Sequence, residues 1–300
     1  MTFQRHRLIT FVLALLTTPL LDATSSHTWV SGTGNDANTG TRTSPFATFA
    51  TAITNTTAGG VISVLDPGDF GPVTITKSVT IDGGGTGGTV TFTGAEGIFV
   101  NAGATDTVIL RHLTVNGLGV GTDAVFLTSA LNLIIEDCTF ENFTQIGLGI
   151  GSTSAQNVVV KNTNITGGTL GLRVFQGTGP DQISMRGVTI SGASSAAVFV
   201  RSGLTEISDS LITLSAVGVM DDTGSTTINV ANSVLSYNGI DIEAFSPATI
   251  LFSNNNTLFA NNGTGGGVGT ILSVGGHPKS ADFRNIVPAT LLPNDTPRQK

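Results

Sequence analysis

The sequence predicts an all-β parallel solenoid, a chain wound into about eight to nine stacked rungs of short strands. Two observations carry this. Seven segments share one grammar: LRHLTV (110–115), IEDCTF (135–140), VKNTNI (160–165), MRGVTI (185–190), ISDSLI (207–212), VANSVL (230–235) and FSNNNT (252–257). Their starts lie 25, 25, 25, 22, 23 and 22 residues apart, and a period of that size marks a stacked-repeat architecture. Composition agrees. There are 39 Gly in 300 residues, with 39% hydrophobic and only 11% charged residues. That mixture suits short apolar strands and tight turns, not disorder.

Each rung divides into three runs. The first alternates, as in VVVK (158–161), where Val158 and Val160 face one way. One turn residue follows, then a second short run such as TNIT (163–166). A third run opens on a small residue: GIFV (97–100), AVFL (124–127), GLGI (147–150), GLRV (171–174), AVFV (197–200) and GIDI (239–242). So short a repeat leaves no room for a helix.

The turn position reads His112, Asp137, Asn162, Gly187, Asp209, Asn232 and Asn254. Those four residue types are the ones that tolerate positive φ best, so a left-handed turn is expected there in every rung. Stacked rungs would also align the Asn and Asp side chains into a ladder. The inward positions form columns of like on like. One runs Leu110, Ile135, Val160, Met185, Ile207, Val230, Phe252, and another Val115, Phe140, Ile165, Ile190, Ile212, Leu235. Cys138, the only cysteine, falls in a third column with Leu113, Thr163, Val188, Ser210 and Ser233. It is expected to pack as a small hydrophobe. Stability must come from the core, because no internal disulfide can form.

The chain begins with features of an export signal. Arg5, His6 and Arg7 precede the apolar LITFVLALL (8–16), too short to span a bilayer. Residues 1–23 read as a signal peptide, although Leu21-Asp22-Ala23 departs from the small-x-small cleavage rule. The remaining chain is expected to be secreted or periplasmic. No second apolar segment approaches about 18 residues, so no membrane partner is expected after signal removal. Net charge of −7, with 13 Lys+Arg against 20 Asp+Glu, offers no basic surface for nucleic acid.

Residues 24–60 read as a strand, a turn and a capping helix. Ser44 is an N-cap type and Pro45 suits the first helical position. Phe46, Phe49, Ala50 and Ile53 then fall on one face, which should cover the end of the first rung, and Gly59-Gly60 should stop the helix. The segment SGTGNDANTGT (31–41) imitates ligand loops without completing any. An EF-hand starting at Asp36 would need a ligand at Gly40, Gly at Thr41 and Glu at Ala47. Gly32-x-Gly34 lacks the third glycine of a dinucleotide loop. Turn formation is the expected role, and the sequence calls for no metal and no cofactor. The coil should occupy 61–275, with TILSV (270–274) as a last strand and 276–300 as a tail.

The repeat resembles the generic rung of the right-handed parallel β-helix, or pectate-lyase-like, superfamily. WVSGTGNDANTGTRTSPFATFATAI (29–53) with LDPGDFGPVTITKSVTIDG (65–83) resembles the N-terminal portion of a group of secreted bacterial β-helix proteins of unestablished function. Superfamily enzymes bind acidic polysaccharides on the strand face matching the third runs. The resemblance therefore implies a polysaccharide partner there. Alternate residues of the third runs read outward as Phe99, Phe126, Gly149, Arg173, Phe199, Gly218, Asp241. Two residues on come Asn101, Thr128, Gly151, Phe175, Arg201, Met220, Glu243. Phe99, Phe126, Arg173, Phe175, Phe199, Arg201, Asp241 and Glu243 are thus the candidate binding residues. Arginines can hold carboxylates bidentately and aromatic rings can stack on sugars. Gly-His-Gly, the polygalacturonase mark, is missing, and no lyase signature is legible. Three readings stand: a carbohydrate-associated binding protein, a polysaccharide lyase or glycoside hydrolase, and a structural or adhesin-like surface protein.

Overall fold

The computed structural model describes residues 24–274 except 86, 152–155, 176, 178–180, 224–225, 246–248, 254 and 260–269. The expected signal peptide, the tail and the seventh turn residue, Asn254, lie outside the described residues.

Strands stack in parallel into three sheets. The first sheet, built from the first runs, holds eleven strands from Ser25–Val30 to Thr270–Val274. The second holds nine, from Gly68–Asp69 to Thr257–Phe259. The third holds eight, from Val73–Ile75 to Ile240–Ala244. One rung is Asn132–Glu136, Thr139–Glu141 and Ile146–Ile150. Each of its strands pairs with the equivalent strand of the next rung: Ile135 with Val160, Phe140 with Ile165, Leu148 with Leu172. The fold is a right-handed parallel β-helix of the pectate-lyase-like kind.

The predicted columns are the core. Leu110, Ile135, Val160, Met185, Ile207, Val230 and Phe252 are all buried, as are Val115, Phe140, Ile165, Ile190, Ile212 and Leu235. Cys138 is buried, and loss of water around it, with smaller contributions from its neighbours, pushes the thiol up to about 12. It stays a thiol at neutral pH and packs. Further along its column, hydroxyls replace apolar groups for a backbone reason. The amide after each left-handed residue has left the strand ladder and needs another acceptor. The Val188 amide donates to Ser210 Oγ (3.1 Å), the Ser210 amide to Ser233 Oγ (3.2 Å) and the Ser233 amide to Asn256 Oδ1 (2.8 Å). Each hydroxyl then donates to the carbonyl two residues back, Ser208 and Ala231.

All six described turn residues adopt positive φ: His112 55°, Asp137 54°, Asn162 46°, Gly187 65°, Asp209 51° and Asn232 51°. A second left-handed column follows the second run: Asn142, Gly167, Gly192, Leu214 and Tyr237. The sequence conceals it because leucine and tyrosine are not residues that signal such a turn.

The N-terminal helix is shorter than expected. It spans Phe49–Asn55 and its N-cap is Thr48, whose hydroxyl accepts from the Thr51 amide. Ser44 instead closes a bridge with Thr41. The later start rephases the apolar face: Phe49, Ala52 and Ile53 are buried while Ala50 is exposed. Phe46 is buried just before the helix, and the Phe49 ring packs 5.0 Å from Phe70. The helix thus covers the first rung, as expected. Gly59-Gly60 do not stop it. They lie inside the strand Thr56–Val64, which carries Ser25–Val30 on its outer edge.

SGTGNDANTGT is a turn. Asp36 Oδ1 accepts from the Ala47 and Thr48 amides, both at 2.9 Å, and Oδ2 accepts from the Thr48 hydroxyl. Burial works to raise the Asp36 carboxyl, but those hydrogen bonds outweigh it and hold it below the usual range. Gly40, at φ 72°, sits where a Cβ would fall 2.0 Å from the Phe46 ring. The loop's polar atoms are spent on the entry to the helix.

Candidate functional site

Outward residues of the third sheet form a continuous row rather than separate platforms. Register places Phe99 beside Phe126, Phe126 beside Gly149, Gly149 beside Arg173, Arg173 beside Phe199, Phe199 beside Met220 and Met220 beside Glu243. Two residues on, the ladder continues through Phe175 and Arg201. Gly149 and Gly151 leave a notch. A Cβ on Gly149 would lie 2.5 Å from the Phe126 ring and one on Gly151 3.0 Å from it. Phe126 fills that notch and reaches Phe175, centroid to centroid 5.7 Å.

Beyond Phe175 the row alternates ring and guanidinium. Arg173 lies 4.1 Å over the Phe175 ring and 5.6 Å from the Phe199 ring, and Arg201 lies 5.0 Å from the Phe199 ring. Such contacts stabilise a cation by about 0.5–2 kcal/mol. The two arginines differ. Arg201 makes a two-bond pair with Asp222, with Nε 2.8 Å from Oδ1 and Nη2 on Oδ2. That hydrogen bond, with the attraction of Asp222, raises its pKa against some burial. Arg173 makes no salt bridge among the described residues, and its Nε is buried without a hydrogen-bond partner. Loss of water, then repulsion from Arg201, lowers its pKa against the attraction of Asp222 and Asp123.

A carboxylate pair stands beside the row. Asp123 lies three residues before Phe126 on the strand Asp123–Ser129, directly opposite Glu96. Asp123 is buried, and loss of water pushes its carboxyl up to about 6. Glu96 adds to the rise, while the Ile146 amide, 3.1 Å from Oδ1, and Arg173 oppose it. The repeat alternation does not reveal this pair. Asp123 and Glu96 precede the small residues that open the third runs, and so fall outside the outward columns.

The remaining expected residues separate. Phe99, Phe126, Phe175 and Glu243 are half-buried on the outer face, whereas Phe199 is buried under the arginines with Ile146, Leu170 and Ala196. Asp241 is not on the face. It is buried within 3.1 Å of Asn238 Nδ2. Taking Gly239 as the small residue that opens its run puts the last rungs two residues out. In the observed register Val217 pairs with Ile240 and Met220 with Glu243, so Asp241 continues the inward column of small residues through Gly218. Asp221 is also interior, accepting from the Thr226 hydroxyl and the Thr223 amide. No group of three or more His, Cys, Asp or Glu able to hold a metal occurs among the described residues. The groove on the first sheet lined by Val159, Ser184, Leu204 and Glu206 carries a carboxylate and no cation, so it would repel an anionic glycan.

Three sheets of parallel strands, with a left-handed turn after the first strand of six successive rungs, define a parallel β-helix protein. The family described as right handed beta helix region matches residues 59–212, just over half of the chain, and the chain belongs to it. Among solved structures it is similar to the pectate lyase Pel9A, with a TM-score of 0.59 and 14% identity over 89% of this chain and 82% of that one. It is also similar to a rhamnogalacturonan lyase, with a TM-score of 0.43 and 14% identity over 76% and 73% of the two chains. No curated protein matches. No helix among the described residues is long and apolar enough to cross a membrane.

Proposed function

We propose that this protein works outside the cytoplasm and binds an acidic polysaccharide along the outer face of its third sheet. The observation that carries the reading is Arg173, a cation within 4.1 Å and 5.6 Å of two phenylalanine rings that makes no salt bridge among the described residues. A guanidinium fixed in orientation can take a uronate carboxylate through two parallel hydrogen bonds. Phe126 and Phe175 beside it offer half-covered ring surface to the sugar. The fold shared with a pectate lyase and the basic, apolar start of the chain support the same reading.

The test is retention on immobilised polygalacturonate. Wild-type protein is expected to be retained at low ionic strength, released by salt as screening predicts, and to ignore a neutral glucan. Equal retention on both supports, or on neither, would reject the reading in favour of a structural or adhesin-like surface protein.

A further inference from the structure

The first sheet carries a hollow that its own column of side chains explains. Outward residues stack in register as Ile109, Ile134, Val159, Ser184, Glu206 and Asn229. Branched aliphatic chains fill the surface as far as Val159. Ser184 lacks their bulk, and a depression of about 200 Å³ opens around it, lined by Asn157, Val159, Gln182, Ser184, Leu204 and Glu206. Drug-sized sites occupy about 300–1,000 Å³, so this one has room for a single small ring.

The polar groups change character at the same place. In the neighbouring outward column Asn132 Nδ2 donates to Thr107 Oγ1 at 2.9 Å, and Asn157 Nδ2 donates to Asn132 Oδ1 at 3.1 Å. The amide ladder stops there. The side chains of Gln182, Ser184 and Glu206 make no hydrogen bond or ion pair among the described residues. Two positions further along the same strands stand Lys161 and Arg186, already held by Glu136 at 3.0 Å and Asp209 at 2.9 Å. Glu206 is thus an exposed carboxylate without a counter-charge. It borders a hollow that offers an amide, a hydroxyl and two aliphatic walls, Val159 and Leu204.

We propose that this hollow binds one hexosamine ring through its free ammonium group. The ammonium donates to the Glu206 carboxylate, a charge-assisted contact. Gln182 and Ser184 donate to and accept from the ring hydroxyls, and the apolar face of the ring lies on Val159 and Leu204. A lysine side chain would meet Glu206 and the aliphatic walls but leave the amide and the hydroxyl unused. A neutral hexose would leave Glu206 without a counter-charge, and an acidic sugar would be repelled. The site differs from the third-sheet face both in place and in the charge of its ligand, and does not depend on it.

The experiment titrates the whole chain by ligand-observed NMR at about pH 6, where an amine keeps its proton. The ligand is D-glucosamine, compared with D-glucose, N-acetylglucosamine and Nα-acetyl-lysine amide. Glucosamine should bind with Kd on the order of 1 mM, the range open to so small a ligand, and the other three about tenfold or more weaker. E206Q removes a charge from an exposed position and should weaken glucosamine about tenfold. S184I continues the column of Ile109 and Ile134, so this variant should fold, close the hollow and abolish binding. Both variants should keep the wild-type melting temperature and wild-type retention on polygalacturonate, which reads the third-sheet face separately. Glucosamine binding no tighter than glucose would overturn the proposal. So would acetyl-lysine amide binding as tightly as glucosamine, or glucosamine binding that survives in S184I.

Discussion

Asp123 couples the candidate site to stability. The folded protein holds this proton up to about pH 6, whereas an unfolded aspartate loses it near pH 3.9. Between those values the folded state binds more protons, so stability falls as pH rises from about 4 to about 6. Melting temperature should drop over that window in wild type and drop less in Asp123→Asn; parallel curves would disprove the assignment. The left-handed turns make a second prediction. Leu214 has φ 55° and is 64% exposed, so it bears the steric cost of that backbone with little burial in return. A non-glycine residue there costs about 1–2 kcal/mol, partly offset by the extra entropy glycine loses on folding. Leu214→Gly should therefore stabilise by about 0.5–1 kcal/mol in urea unfolding, while Leu211→Gly, in a strand, should destabilise. His112, Asp137 and Asn162 announced their turn in the sequence because their residue types are selected by positive φ. Leu214 and Tyr237 did not, because there the fold overrides the residue's own preference.

Among the elements, the N-terminal helix shows how far periodicity reaches. Phe46, Phe49 and Ile53 were legible as the face that covers the first rung, but the start was not. Ser44-Pro45 satisfies the local rules for a helix start, yet Asp36 gathers the Ala47 and Thr48 amides from across the loop and moves the cap to Thr48. Thr48→Ala should cost about 1 kcal/mol, measured by urea unfolding, and Ser44→Ala much less. Phe49→Asp puts a charge at a position with no exposure and should lower the melting temperature sharply; an unchanged value would mean the helix does not cap the coil. The third-sheet strands fail differently. Small residues mark where each run opens, and Gly239 imitates that mark two residues too early. The slip put Asp241 in the outward column and set Met220 and Glu243 in line with Arg201 instead of Phe199.

For the molecule entire, a repeat held over seven rungs determined the architecture, because each rung must place like residues on like to bury a continuous core. The site was only half legible for the same reason. Alternation says which side chains point outward, and it found Phe126, Arg173, Phe175 and Arg201. It cannot say that Phe126 lies across a glycine notch, that Arg201 is hydrogen-bonded to Asp222 while Arg173 makes no salt bridge among the described residues, or that Asp123 and Glu96 stand at the row's edge. Those follow from neighbouring rungs, 21 to 27 residues away in the chain. The distinction between the arginines is what binding should reveal. Calorimetric titration of galacturonate oligomers into wild type, Arg173→Ala and Arg186→Ala compares the unpaired cation with a cation of the first sheet already paired to Asp209 at 2.9 Å. Affinity should fall about tenfold or more in Arg173→Ala, the loss of one charge-assisted pair, and stay within about twofold in Arg186→Ala. Equal affinity in wild type and Arg173→Ala would contradict the assignment of this face.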